Sequence, residues 1–263
     1  MRNRNQSLEK LSKLKFFFPR ISTRGFYDLH SGRTIINESY RLYPKKDLEN
    51  LIGTKEITIM IHGLRNNPSG ALAKFVIAKR RLIQLGYKNP VVGYSYDANT
   101  YGVQYKTRAL RALHTGVTIA NKNGKNLAKF VIDFKEKSPD TNIRLMGHSL
   151  GAHVIQSTIK NLAKNGKNKE IIESVYLFGG SISDDALSST NGSAMQKIVA
   201  KKIKNYFSPY DDVLQEAEKS NWVPTPIGYR GARGKVVSKY RQTMVKPKNH
   251  RFQSYARVLN SFP

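Results

Sequence analysis

Residues 143–154 read Ile-Arg-Leu-Met-Gly147-His148-Ser149-Leu150-Gly151-Ala152-His153-Val154. A short apolar run ends in Gly-x-Ser-x-Gly, and an amphipathic segment follows at once. This is the pattern of a strand, a sharp turn and a helix, the nucleophile elbow that lifts a serine hydroxyl above the end of a sheet. The glycines on either side are needed because strand and helix approach too closely for larger side chains. Placing Ser149 at a helix N-terminus favours negative charge developing beside it. The bare five-residue spacing is a weak signal, and the strand-to-helix context is what gives it weight.

A serine hydroxyl is a poor nucleophile until a base takes its proton, and the base must be oriented by an acid. After such an elbow the partners follow in the order acid, then histidine. Among six histidines, His30, His62 and His114 precede the serine. His148 is the variable residue of the elbow, and His153, one turn along the helix, is expected to be packed. His250, in Lys248-Asn249-His250-Arg251-Phe252, lies beyond every candidate acid and is the expected base. The acids in between are Glu170, Glu173, Asp184, Asp185, Asp211, Asp212, Glu216 and Glu218. Asp211 follows an apolar run through the turn-rich Ser208-Pro209-Tyr210, where a carboxylate can reach an imidazole. It could equally serve as a helix cap. Asp184, after Gly179-Gly180-Ser181, and Asp212 remain alternatives.

An acyl-transfer site also needs N–H donors aimed at the developing oxyanion. The backbone N–H of Leu150, just after the nucleophile, is one candidate. The loop His62-Gly63-Leu64-Arg65-Asn66-Asn67 offers the N–H of Leu64 as the second, with Gly63 allowing close approach. In a plain strand-to-helix loop His62 would instead be a buried, satisfied polar group. Leu64, Tyr94, Tyr96, Tyr101 and residues 180–200 could line an acyl pocket or be ordinary core and loop residues, and 180–200 could be a lid or a plain surface loop.

The elements that must hold these groups alternate between strand-length apolar runs and longer helical patterns, as a mostly parallel sheet requires. A basic helix is expected over residues 1–20 and a hairpin over Gly25–Tyr43. Strands are expected at 57–61, 91–96, 142–147, 174–178, 203–207 and 236–243. Helices are expected at about 71–85, 106–137 with a break near Asn121–Gly124, from the elbow to about Asn165, and from about Arg251. The division is a basic N-terminal extension over 1–24 and one α/β domain over 25–263. The sheet is expected to be mostly parallel and twisted with helices on both faces, its reactive groups at the strands' carboxyl ends.

Composition sets outer limits. A chain of 263 residues with 39% hydrophobic content can bury one large core. The absence of cysteine removes disulfides and thiolate chemistry, and points to a reducing, cytoplasmic setting. No apolar run reaches the length of a membrane span, and no signal-type segment opens the chain. The formal net charge is +27. Residues 1–25 hold seven basic groups against Glu9 alone, and Arg230 to Pro263 holds nine with no acid. Such a field attracts anions, an anionic membrane surface among them. No nucleic-acid-binding motif accompanies the charge, and no metal or organic cofactor is implied.

With these residues in place, the chain resembles lipase- and esterase-like members of the alpha/beta-hydrolase superfamily. Gly147-His148-Ser149-Leu150-Gly151-Ala152-His153 is similar to the serine box of the animal triglyceride lipases. Ile61-His62-Gly63-Leu64-Arg65-Asn66, taken with Gly93-Tyr94-Ser95-Tyr96-Asp97, resembles a group of microbial alpha/beta hydrolases. In that group a motif like Tyr206-Phe207-Ser208-Pro209-Tyr210-Asp211 ends in the acid. The resemblance implies an alpha/beta-hydrolase fold and serine hydrolase chemistry on a small-molecule or lipid ester. The fold alone does not specify the bond cleaved. The alternative expectation is a non-catalytic protein of this fold that binds anionic membranes or nucleic acid.

Overall fold

The structure, a computed structural model, describes residues 18–221 and 224–263. The expected helix over residues 1–20 therefore falls almost wholly outside the described residues. Among the described residues, eight strands form one sheet: β1 (Arg20–Ser22), β2 (Arg41–Tyr43), β3 (Glu56–Ile61), β4 (Val91–Ser95), β5 (Asn142–His148), β6 (Ile172–Phe178), β7 (Val199–Phe207) and β8 (Tyr240–Met244). Their order across the sheet is β2-β1-β4-β3-β5-β6-β7-β8. Only the edge strand β2 runs antiparallel; each of the other pairings is parallel. Arg20–Ser22 thus belongs to the sheet, beside Gly93–Ser95. The last residues of the expected N-terminal extension, 1–24, supply a strand.

The two faces of the sheet can be read from β3. Ile57, Ile59 and Ile61 point into one apolar core, and Met60 points into the other, as the two-residue period of a strand demands. The first core is covered by α1 (Lys45–Glu49), α3 (Ala109–Lys137) and α4 (Gly151–Lys164). The second lies under α2 (Pro68–Gln84) and α8 (Phe252–Val258). Shorter helices α5 (Ser193–Ile198), α6 (Asp212–Lys219) and α7 (Ile227–Arg230) complete the connections.

The helix over 109–137 is continuous, without the break expected at Asn121–Gly124. Asn123 is fully buried there. Its amide donates to Ile119 O, and its side-chain oxygen accepts from Thr23 and Tyr94 hydroxyls. Gly124 permits close packing on α4, since a Cβ would stand 2.3 Å from Ser157. Residues with poor helix propensity are retained because their partners are tertiary. Tyr94 and Tyr96 are also fully buried, so of their two readings, pocket lining and core, the structure shows core. The hairpin expected over 25–43 is reduced to one antiparallel bridge, Tyr27 to Thr34. The last strand begins at Tyr240, later than expected, because Val236 bridges to Ser188.

The strand directions place four loops at one end of the sheet: those after β3, β5, β7 and β8. Each carries a residue singled out above.

Candidate active site

Ser149 sits between β5 and α4 with φ 53°, a left-handed conformation that costs a non-glycine residue roughly 1–2 kcal/mol. Its neighbours impose that conformation. Ser149 N–H donates to Phe178 O at 3.0 Å, and Ser149 O accepts from Ala152 N–H at 3.0 Å. Gly151 lies so close to β3 that a Cβ would meet Ile61 O at 2.6 Å. A Cβ on Gly63 would meet that of Ser149 at 2.9 Å.

The hydroxyl of Ser149 is 2.9 Å from His250 Nε2, and His250 Nδ1 is 2.7 Å from Asp211 Oδ2. The sequence-derived serine, histidine and first-choice acid are therefore brought together. Asp211 also caps α6, its Oδ1 accepting from Leu214 N–H at 3.2 Å. The two readings of this residue, acid and cap, are both realised, one on each oxygen. Asp212 is exposed, and Asp184 is paired with Arg233 at 3.5 Å; neither approaches His250.

Burial by itself would raise the Asp211 carboxyl. The hydrogen bond and charge of His250, the Tyr255 hydroxyl at 2.6 Å and the Leu214 N–H outweigh it and hold the group below the usual carboxylate value. An ionised Asp211 can only accept, so Nδ1 of His250 carries the proton and Nε2 is left to accept from Ser149. The loop bearing His250 is fixed from below by His148, whose Nε2–H donates to His250 O at 2.7 Å.

Leu64 and Leu150, the expected oxyanion donors, both line the cleft that holds Ser149 and His250. Among the described residues neither N–H has a hydrogen-bond acceptor, so both are available to a ligand. The loop carrying Leu64 is tightly held. Asn66 donates from its amide to Gly63 O and Leu64 O, each at 2.9 Å. The next residue, Arg65, has φ 62° and donates its N–H to Ala98 O. His62 is buried; its Nδ1–H donates to Gly63 O, and Nε2 accepts from Arg24 at 3.1 Å. The cleft, about 180 Å³, is otherwise mostly apolar, with Val103, Ala109, Leu113, Val213, Leu214 and Ala217, and also meets Arg65, His148 and Ser181. Of the acyl-pocket residues expected from sequence, Leu64 and Ser181 line it, while Tyr101 opens onto a separate cavity.

Residues 90–234, from β4 through the elbow and past Asp211, match the family model for cutinase. The chain belongs to the cutinase family. This is a family of carboxylic ester hydrolases within the alpha/beta-hydrolase superfamily. Among curated proteins, phospholipase A1 4 of Polistes dominula is 30% identical over 150 residues, which cover 52% of this chain and 42% of the wasp protein. Phospholipase A1 1 of the same species is 30% identical over 150 residues, 52% of this chain and 40% of its own. The match thus spans less than half the length of these relatives. Among solved structures, a lipase-esterase related protein from Clostridium acetobutylicum ATCC 824 aligns at TM-score 0.44 and 12% identity, covering 80% of this chain and 92% of that one. A Trichoderma reesei cutinase solved with a C11Y4 phosphonate inhibitor aligns at TM-score 0.36 and 16% identity, covering 78% and 75%. His250 lies beyond the residues matched to the cutinase model, so its place beside Ser149 is known from geometry.

Three parts of this cutinase-family site escaped the sequence reading. Arg24, placed there in an N-terminal extension, donates to Ser95 Oγ, His62 Nε2 and Asn66 O, bracing the Leu64 loop. Burial lowers its guanidinium to about 10, against the raising effect of Asp97. Tyr255, read only as part of the final helix, donates to Asp211. The role of Asn66 was equally hidden. None of the three has a spacing that relates it to Ser149, since each acts through a contact between distant segments.

Three histidines of the site region are neutral, His62 and His148 buried and His153 half-buried. Burial lowers His148 to about 3 and His153 to about 4, and holds His62 well below its ordinary value. In the unfolded chain they titrate near 6.5. Their contribution to stability is complete above that pH. It is lost as pH falls toward the folded values, because the unfolded chain then binds protons the folded chain refuses. The loss is about 1.4 kcal/mol per histidine per pH unit. Denaturant unfolding at pH 7.5, 6.5, 5.5 and 5.0 should therefore show stability dropping steeply below 6.5. His153→Gln should reduce that slope by about one proton; a flat profile from 7.5 to 5.0 would contradict the neutral assignment.

Proposed function

We propose that this chain is a serine esterase acting on a carboxylic ester through an acyl-enzyme. The observation that carries the proposal is the chain of hydrogen bonds Ser149–His250–Asp211, at 2.9 and 2.7 Å, at the floor of an apolar cleft. Ser149 Oγ attacks the ester carbonyl carbon while His250 Nε2 takes its proton. Asp211, ionised, holds the ring orientation and stabilises the imidazolium. The negative charge on the carbonyl oxygen is received by the N–H groups of Leu64 and Leu150. His250 returns the proton to the departing alcohol, and water then releases the acid by the same steps in reverse order.

Membership of the cutinase family supports this reading, and the phospholipase A1 relatives make lipid esters a natural substrate class within it. The apolar lining supports an aliphatic acyl group. Each methylene it buries contributes about 0.8 kcal/mol, up to about fourfold in kcat/KM until the cleft is filled. A p-nitrophenyl series from acetate to palmitate should therefore rise through the short chains and then level or fall. An optimum at acetate would remove the cleft as the acyl site. No turnover of any member by folded protein would favour the non-catalytic binding protein instead.

A further inference from the structure

Beside the apolar cleft lies a second cavity of about 630 Å³, and the two share one wall residue, Ser181. We propose that this second cavity receives the alcohol side of the ester and that the alcohol it fits is a neutral polyol, a sugar or sugar-like residue. The proposal rests on the reading of Ser149 as the nucleophile and extends it to a substrate class.

The two cavities meet at Ser181, which is bonded to the backbone of the nucleophile. Ser181 N–H donates to Ser149 O at 3.3 Å, and Ser181 O accepts from His153 Nε2–H at 3.1 Å. His153 is one helical turn beyond Ser149 and lines the second cavity. The remaining wall mixes apolar Val117, Ala186 and Pro224 with mostly uncharged polar side chains, among them Asn121 from α3, Gln156 from α4 and Asn191 from the loop after β6. Among the described residues Lys160 is its one Lys or Arg side chain and Asp185 its one acid. In a chain with 45 basic and 18 acidic residues, this balanced wall is unlike the rest of the molecule. A phosphate-bearing headgroup would call for two or more convergent cations, above all arginine. Amides, hydroxyls and neutral imidazoles both donate and accept, which is what a ring of hydroxyl groups requires.

Two of these polar groups lack partners. Ser181 Oγ is buried with no hydrogen bond, although Ser181 is only 8% exposed. The Gln156 amide has no hydrogen-bond partner among the described residues, while facing the same space. Ser181 Oγ is occluded in this conformation, whereas the half-buried Gln156 amide stands open to a polyol hydroxyl. The chemistry is the ordinary ester cleavage. The carbonyl carbon forms a bond to Ser149 Oγ, its bond to the polyol oxygen breaks, and that oxygen takes the proton held by His250 Nε2. Water later supplies the hydroxyl of the released acid.

The test compares matched hexanoyl esters of ethanol, of glucose at O6, and of glycerophosphocholine. Wild-type protein should show kcat/KM for the glucose ester about tenfold or more above the ethyl ester, the equivalent of one or more added hydrogen bonds. Gln156→Leu should collapse that ratio. Independently of turnover, saturation-transfer NMR on Ser149→Ala protein should detect methyl glucoside binding, weakened by Gln156→Leu. Equal kcat/KM for the glucose and ethyl esters, together with no glucoside signal, would overturn the proposal. A preference for the phosphocholine ester that Lys160→Met removes would overturn the choice of a neutral polyol. Failure to hydrolyse even the ethyl ester, with glucoside binding intact, would instead overturn the esterase reading beneath it.

Discussion

Replacing His250 by alanine is expected to lower ester turnover on the order of 10⁵-fold, and Ser149→Ala to lower it by a similar factor. The expectation follows from the single hydrogen-bonded line joining Ser149 Oγ to His250 Nε2. Without the imidazole, no group within reach can take the serine proton. The other nearby ring, His148, is held neutral and directed at His250 O. Residues acting as one unit are strongly non-additive, so the double variant should be little worse than either single one. Steady-state kinetics on p-nitrophenyl hexanoate, with unfolding midpoints measured on the same samples, would check this. Retention of a tenth of wild-type activity by well-folded His250→Ala would remove this histidine from the reaction.

Asp211→Asn should cost about 10⁴-fold in kcat, the scale seen when a triad acid is made neutral. The mechanism is specific. An asparagine can donate from its amide to Nδ1, which forces the proton onto Nε2 and leaves nothing to accept from Ser149. The fold should survive, because asparagine is as good a helix cap as aspartate and can keep the bond to Leu214 N–H. Tyr255→Phe removes one hydrogen bond from the carboxylate and should cost about tenfold, the equivalent of one ordinary hydrogen bond. Asp212→Asn, on an exposed side chain, and Asp184→Asn, in an ion pair with Arg233, should stay within a few-fold of wild type. A crippled Asp184→Asn beside an active Asp211→Asn would overturn the choice of acid while leaving serine chemistry in place.

The parts of the site that were legible in the sequence share a local signature. The elbow announces itself because the steric demand at Gly151 falls within five residues of the nucleophile. Asp211 and His250 were reachable because turn residues follow a strand-length run and because chain order eliminates the other histidines. Elements whose reasons are tertiary were not legible. The polar stretch Asn121–Gly124 reads as a break, yet Asn123 is solvated by Thr23, Tyr94 and the helix backbone. Arg20–Ser22 is too short and too polar at its ends to read as a strand, and it is held by its parallel neighbour β4. Tyr94, on β4, and Tyr96, just beyond its end, could be read as pocket or as core. Tyr96 stacks on His62 with ring centroids 4.5 Å apart and supports the Leu64 loop from inside. The polar cavity was invisible for the same reason: its walls come from α3, α4 and the loop after β6, brought together only by the fold.

The most direct test is covalent labelling with a fluorophosphonate probe, followed by mass spectrometry of the modified peptide. The expected result is one adduct, on Ser149, absent from Ser149→Ala and suppressed in His250→Ala. An adduct on another residue, or undiminished labelling of folded Ser149→Ala, would contradict Ser149 as the nucleophile.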